Sequence, residues 1–104
     1  MTSVQQARIS AESAYNGTNY SAALSQNNTT AGASNGLNLT NAEINSLNND
    51  VGAQTSILYA ITNSGPTMYA IYGRLVHDNT KYFCMDSTGS TSQSTSNNTA
   101  TSCQ

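Results

Sequence analysis

Between Ser56 and Asp86 the chain carries three runs of β-branched and aromatic residues separated by two short polar turns, and this pattern limits the fold more than any other feature. Ser56–Thr62 (SILYAIT) is the first run. Asn63-Ser-Gly-Pro66 is a turn, and Thr67–Val76 (TMYAIYGRLV) is the second run. His77-Asp-Asn-Thr80 then leads into Lys81–Asp86 (KYFCMD). Extended segments joined by so few residues pair as antiparallel neighbours, because a parallel pairing needs a long crossover. The spacing therefore predicts a three-stranded meander. Side chains alternate across a strand, so Tyr69, Ile71 and Gly73 share one face of the second strand. Met68, Ala70, Tyr72 and Arg74 share the other.

One face of such a sheet needs a cover, and the N-terminal segment supplies it. In Ser3–Tyr15 (SVQQARISAESAY) the residues Val4, Ala7, Ala11 and Ala14 recur at helical spacing, with Ile9 and Tyr15 flanking the stripe. Small residues along the stripe predict close approach to the sheet. Asn16-Gly17 is a helix stop, with Gly free to take a left-handed cap. Tyr20–Leu24 (YSAAL) reads as one more helical turn, and residues 27–38 as a loop without apolar period. Thr40 followed by Glu43 matches a capping box, placing Thr40 at the N-cap of a short helix over residues 41–49 anchored by Leu39, Ile44 and Leu47. The expected class is α+β: an N-terminal helix packed on a three- to four-stranded antiparallel sheet in one domain over residues 1–104.

Composition narrows what this domain does. Among 104 residues only three are Lys or Arg and five are Asp or Glu. Three cations form no stripe for a phosphate backbone, so nucleic-acid binding by electrostatics is not expected. No stretch approaches the ~20 apolar residues of a membrane span, and no charged-then-apolar leader follows Met1. Ser, Thr and Asn number 15, 14 and 14, and this surplus collects in the loop and in the tail after Asp86-Ser-Thr-Gly89. The only two cysteines, Cys84 and Cys103, bracket that tail. In an exported protein such a pair is by default one disulfide, against two unpaired thiols in a cytosolic one. The tail itself, residues 90–102, is expected to be a surface loop stapled to the third strand.

Three pieces of the chain together resemble the globular part of a type IV pilin or a related pseudopilin. They are Ala7-Arg-Ile-Ser-Ala-Glu-Ser-Ala-Tyr15, Tyr69-Ala-Ile-Tyr-Gly-Arg-Leu75 and Lys81-Tyr-Phe-Cys-Met-Asp-Ser-Thr-Gly89, with Cys103 near the end of the tail. The strand and cysteine pieces are especially similar to pilin-type sequences of small host-associated bacteria of the candidate phyla. The resemblance implies a structural subunit of an extracellular, cell-surface pilus, serving attachment, twitching motility or DNA uptake. It implies other pilin subunits as partners, in a homopolymer, with host-cell surface or DNA reached through minor subunits. It also implies an apolar helical half with a prepilin cleavage site. Polar Thr2-Ser3 stands where that half would be, so the expectation is a chain truncated to its soluble part, with Met1 added and the membrane anchor missing. The alternatives are a pseudopilin of a secretion or competence system and a stand-alone secreted adhesin.

Residues with chemistry of their own are few. His77-Asp78 with a hydroxyl from the tail is the sharpest nucleophilic constellation, but adjacent residues in an exposed turn are read as turn polarity. Asp86 with Ser and Asn oxygens is the candidate calcium site, since some pseudopilins resembling this domain hold calcium in the terminal loop; its competing role is to cap the turn. No catalytic, cofactor or metal residue is assigned, and the chain is not expected to be an enzyme. Asn-x-Ser/Thr sequons at Asn16, Asn19, Asn27, Asn28, Asn38 and Asn97 are attributed to composition. Tyr59, Tyr69, Tyr72 and Tyr82 are assigned first to cross-strand packing. If the face opposite the helix exposes them, it becomes the leading contact surface.

Overall fold

The computed structural model describes residues 2–94 and 98–103. Met1 and the Asn97 sequon lie outside the described residues. Helix α1 (Thr2–Ser13) is followed by a long irregular segment, helix α2 (Ala42–Ala53) and strands β1 (Leu58–Thr62), β2 (Tyr69–Arg74), β3 (Tyr82–Asp86) and β4 (Thr91–Ser94). The strands form one sheet in the order β1-β2-β3-β4, antiparallel throughout. The meander and the helix that covers it follow the pattern of the sequence, as does a disulfide between Cys84 and Cys103.

Helix α1 buries Val4, Ala7, Ser10 and Ala11. Those side chains are small, so the helix lies close on β2 and β3, while α2 packs on β1. Leu24, Leu37, Ile44, Val51, Leu58, Ala60, Tyr69 and Ile71 complete one cluster with the helix stripe. Tyr20–Leu24 makes the single turn expected of it, with the N–H groups of Ala23 and Leu24 donating to the carbonyl of Tyr20 at 3.0 and 2.9 Å.

Two expectations are corrected. The tail is not wholly loop: Thr91–Ser94 continues the sheet as β4, with Cys84 opposite Ser92 and Met85 opposite Thr91. These four residues carry no apolar signal. Their pairing is imposed by the turn at Asp86–Ser90, where the Asp86 carboxylate collects the N–H groups of Thr88 and Ser90 at 3.0 and 3.1 Å. The capping box does not form either. Asn41 caps α2, its Oδ1 accepting from the Ile44 N–H at 3.1 Å, while the Thr40 hydroxyl donates to Asn38 and Glu43 accepts from the Ser10 hydroxyl at 2.9 Å. Two adjacent residues were competent to cap, and the Asn38 side chain captured the first.

Residues 27–38 are a loop, but one with a task. They run along the outer edge of β1, where the Ala60 and Thr62 N–H groups donate to the carbonyls of Asn35 and Asn28 at 2.9 and 3.0 Å, and the Ser34 N–H donates to the Leu58 carbonyl at 2.9 Å. An edge strand left open is a template for unwanted pairing, and this segment closes it. Gly36 makes the approach feasible, because a Cβ there would stand 1.9 Å from the Ala60 carbonyl oxygen.

Candidate contact surface

The four strand tyrosines divide between the two faces of the sheet. Tyr69 points toward α1 and donates its hydroxyl to Glu12 Oε2 at 2.7 Å. Tyr59, Tyr72 and Tyr82 point the other way. The Tyr59 and Tyr72 rings are cross-strand partners, stacked at 5.0 Å and 13°, and Tyr82 meets Tyr59 edge-on at 6.4 Å. All four are buried, with relative exposures of 0, 0, 1 and 8% for Tyr59, Tyr69, Tyr72 and Tyr82. The face opposite the helix is therefore not an open aromatic surface: residues 98–103 lie over it as a strap. The Tyr59 hydroxyl donates to the Asn98 carbonyl at 3.0 Å and the Tyr72 hydroxyl to the Ala100 carbonyl at 2.9 Å. Burial pushes the Tyr59, Tyr69 and Tyr72 phenols up, and at Tyr69 the Glu12 carboxylate adds to the effect.

Asp86 holds the strap's end. Its Oδ1 accepts from the Thr88 hydroxyl and from two N–H groups, and its Oδ2 accepts from the Cys103 N–H at 2.9 Å. Burial alone would raise this carboxyl, but the hydroxyl of Thr88 and the three N–H donors outweigh it and keep its pKa below the ordinary value. Each of these partners offers a hydrogen, so the site is arranged as a turn acceptor; a calcium ion would need oxygen lone pairs in their place. No group of three or more His, Cys, Asp or Glu side chains placed to hold a metal occurs among the described residues. At the other turn, Asp78 accepts from the Thr80 N–H and hydroxyl and lies 3.8 Å from Lys81 Nζ. The Thr80 hydroxyl lowers the Asp78 pKa. His77 is exposed beside it, and the carboxylate turns toward Thr80 and Lys81.

The apolar surface lies instead on the outer side of the two helices. An open hollow of about 540 Å³ between α1 and α2 is lined by Gln6, Ile9, Ser10, Glu43, Leu47 and Asp50. A neighbouring hollow extends it past Leu75, Val76 and His77. Ile9 is 62% exposed and Val76 46%. Sequence reasoning placed Ile9 beside the buried stripe without assigning it a role. The signal was present, a large β-branched residue on the polar side of an otherwise alanine-lined helix, but only the position of α2 turns it into the wall of a groove. No helix among the described residues is long and apolar enough to cross a membrane. No protein-family model, curated protein or solved structure matches this chain.

Proposed function

We propose that the chain is a structural subunit of an extracellular filament of the type IV pilin kind, assembled from copies of itself. The observation that carries the reading is the combination of an N-terminal helix laid on an antiparallel meander with a C-terminal strap closed by Cys84–Cys103. A helix on an antiparallel sheet with a disulfide-closed end is also what the pilin resemblance of the helix, strand and cysteine pieces implies. The outer side of α1 and α2, with Ile9, Leu47 and Val76, offers the neighbouring subunit an apolar contact. Few charges lie on the surface to repel an adjacent copy. A disulfide-closed, hydroxyl-rich strap suits the outward side, where reduction by a cytosolic thiol pool does not operate.

The test is to shear filaments from cells that express the protein and identify their subunits by immunogold labelling and mass spectrometry. The expected result is labelling along the fibre and recovery of this chain's peptides from it. Fibres that never contain the chain would overturn the reading. Long fibres that persist after gene deletion, together with lost secretion, would reassign it to a pseudopilin. A native product released as a soluble monomer would make it a free adhesin.

A further inference from the structure

Two of the asparagines precede glycine, Asn16–Gly17 and Asn35–Gly36, and the fold treats them in opposite ways. We propose that Asn16–Gly17 is a self-modification site, where the folded chain converts Asn16 through a cyclic imide into aspartate and isoaspartate, while the fold holds Asn35–Gly36 unreactive.

The reaction needs only hydroxide and water. The Gly17 N–H gives its proton to hydroxide and the nitrogen bonds to Asn16 Cγ. The Cγ–Nδ2 bond breaks and the side-chain nitrogen leaves as ammonia, taking a proton from solvent. Water then adds to one of the two imide carbonyls and opens the ring. Opening on one side leaves aspartate in the main chain, and on the other an isoaspartyl link with an extra main-chain methylene. No electron is transferred.

Three features at Asn16 favour closure. Asn16 and Gly17 are exposed, and Gly17, at φ +89°, has nothing within 4 Å of the place a Cβ would occupy, so this peptide has room to turn. The Asn16 side chain is folded back: its Oδ1 accepts from the N–H groups of Thr18 and Asn19, each at 2.9 Å. A side chain held in this way lies against the intervening peptide, which contains the Gly17 nitrogen. The same two N–H groups polarise the Cγ carbonyl and meet the oxyanion that forms when nitrogen adds, at the roughly 2.7–3.1 Å typical of a preorganised oxyanion site.

At Asn35 the surroundings are reversed. A Cβ on Gly36 would stand 1.9 Å from the Ala60 carbonyl oxygen, so this peptide is wedged against β1. The Asn35 carbonyl accepts from the Ala60 N–H at 2.9 Å, and the Gly36 carbonyl accepts from the Ser25 N–H at 2.8 Å. Ring closure has to rotate the peptide between these two carbonyls, so it waits for the loop to leave the sheet edge.

The change reaches the segment beyond Gly17. Tyr20 packs on Tyr15 and on Tyr69 with ring centroids 4.8 Å apart in each pair, and its N–H donates to the Pro66 carbonyl at 2.9 Å. An extra main-chain methylene at position 16 shifts the stretch that delivers this ring. A new carboxylate close to the C-terminal end of α1 also meets the helix carbonyls, an unfavourable pairing. The product is an irreversible mark of age on the folded chain, with one added negative charge.

The test is to incubate the folded protein in mildly alkaline ¹⁸O-labelled water and to map peptides by mass spectrometry, with isoaspartyl methyltransferase as a second readout. Label is expected at position 16 several-fold faster than at position 35, with the difference vanishing in denaturant. Asn16→Ser keeps a side-chain acceptor for the turn and is expected to abolish label there while leaving position 35 unchanged. Equal rates at the two positions in the folded protein, or faster labelling at position 35, would overturn the proposal. So would slower labelling of position 16 when folded than when unfolded.

Discussion

The two faces of the sheet are sealed by different means. Toward α1, Leu58, Ala60, Tyr69 and Ile71 meet Val4, Ala7 and Ala11 and the side chains of Leu24, Leu37 and Ile44, an apolar cover on an apolar face. On the other side, Tyr59, Ile61, Ala70, Tyr72, Tyr82 and Cys84 lie under a strap, with Ala31, Ile57 and Cys103 as the apolar side chains packed against them. That strap attaches through one covalent bond, one carboxylate and two phenol hydroxyls. The contrast shows how a chain this poor in aliphatic residues buries both faces of a sheet. Where apolar side chains are lacking, tyrosine supplies area on its ring and a donor at its tip, and backbone carbonyls become the partners.

The largest expected effect breaks the apolar side. Ile71→Ala removes a fully buried side chain beneath α1, where helix and sheet cannot both collapse around the gap. A loss of about 2–5 kcal/mol is expected, read as a lower denaturant midpoint at unchanged slope. Ile61→Ala, equally buried on the strap side, is expected to lose less, because a strap of backbone can settle into the space. Equal losses would show that the strap packs as rigidly as the helix.

Next is the covalent attachment. Cys84 and Cys103 are 19 residues apart, and in the chain-entropy model closing such a loop contributes roughly 3 kcal/mol. Cys84→Ser is therefore expected to lower the melting temperature by ~10 °C or more and to admit protease between Ser87 and Cys103. An unchanged melting temperature and an uncut strap would mean that Asp86 and the tyrosines hold it without help.

The same contrast explains which parts were legible beforehand. The strands β1, β2 and β3 and the buried stripe of α1 were readable because alternation and helical spacing of apolar residues record which side faces the core. The disulfide was expected from its two cysteines. Strand β4 was not readable, since Thr91–Ser94 has no apolar side and its pairing depends on a turn organised by Asp86. The N-cap of α2 was misplaced by one residue because the competition between Thr40 and Asn41 is decided by Asn38. Nor did the sequence disclose that the aromatic face is covered, because carbonyls of residues 98 and 100 leave no mark in side-chain pattern. Polar covers are hard to read for this reason: their specificity resides in the backbone.

A smaller effect is expected at the carboxylate. Asp86→Asn is nearly isosteric, but an amide at this site sets an N–H donor against one of the N–H groups that the carboxylate now accepts. A loss of about 1–3 kcal/mol is expected, and it should shrink in the Cys84→Ser background if Asp86 and the disulfide act on the same strap. The pH dependence has a definite sign. The folded-state pKa of Asp86 lies below its unfolded value, so its contribution is complete above the unfolded value and disappears as pH falls through the folded one. The wild-type chain should therefore lose more stability on acidification than the Asp86→Asn variant.

The smallest effect belongs to the tyrosine tips. Tyr72→Phe keeps the stacked ring and removes only the hydroxyl that donates to the Ala100 carbonyl. Since Ala100 is only half-buried, water can replace the lost donor, and the expected loss lies near the low end of about 0.5–1.5 kcal/mol. Tyr59→Phe should behave alike through Asn98. Alkali gives the same information with opposite sign to acid. The buried phenols have folded pKa values raised above the ordinary value near 10, so their contribution is complete below that value and is lost as pH climbs toward the folded one. Each Phe variant should soften the alkaline decline, and the pair together more than either alone. A decline untouched by both variants would place the alkaline weakness at Tyr69 and Tyr20 on the helix side, where Tyr20 is pushed up to about 12, and would make the apolar face the pH-sensitive one.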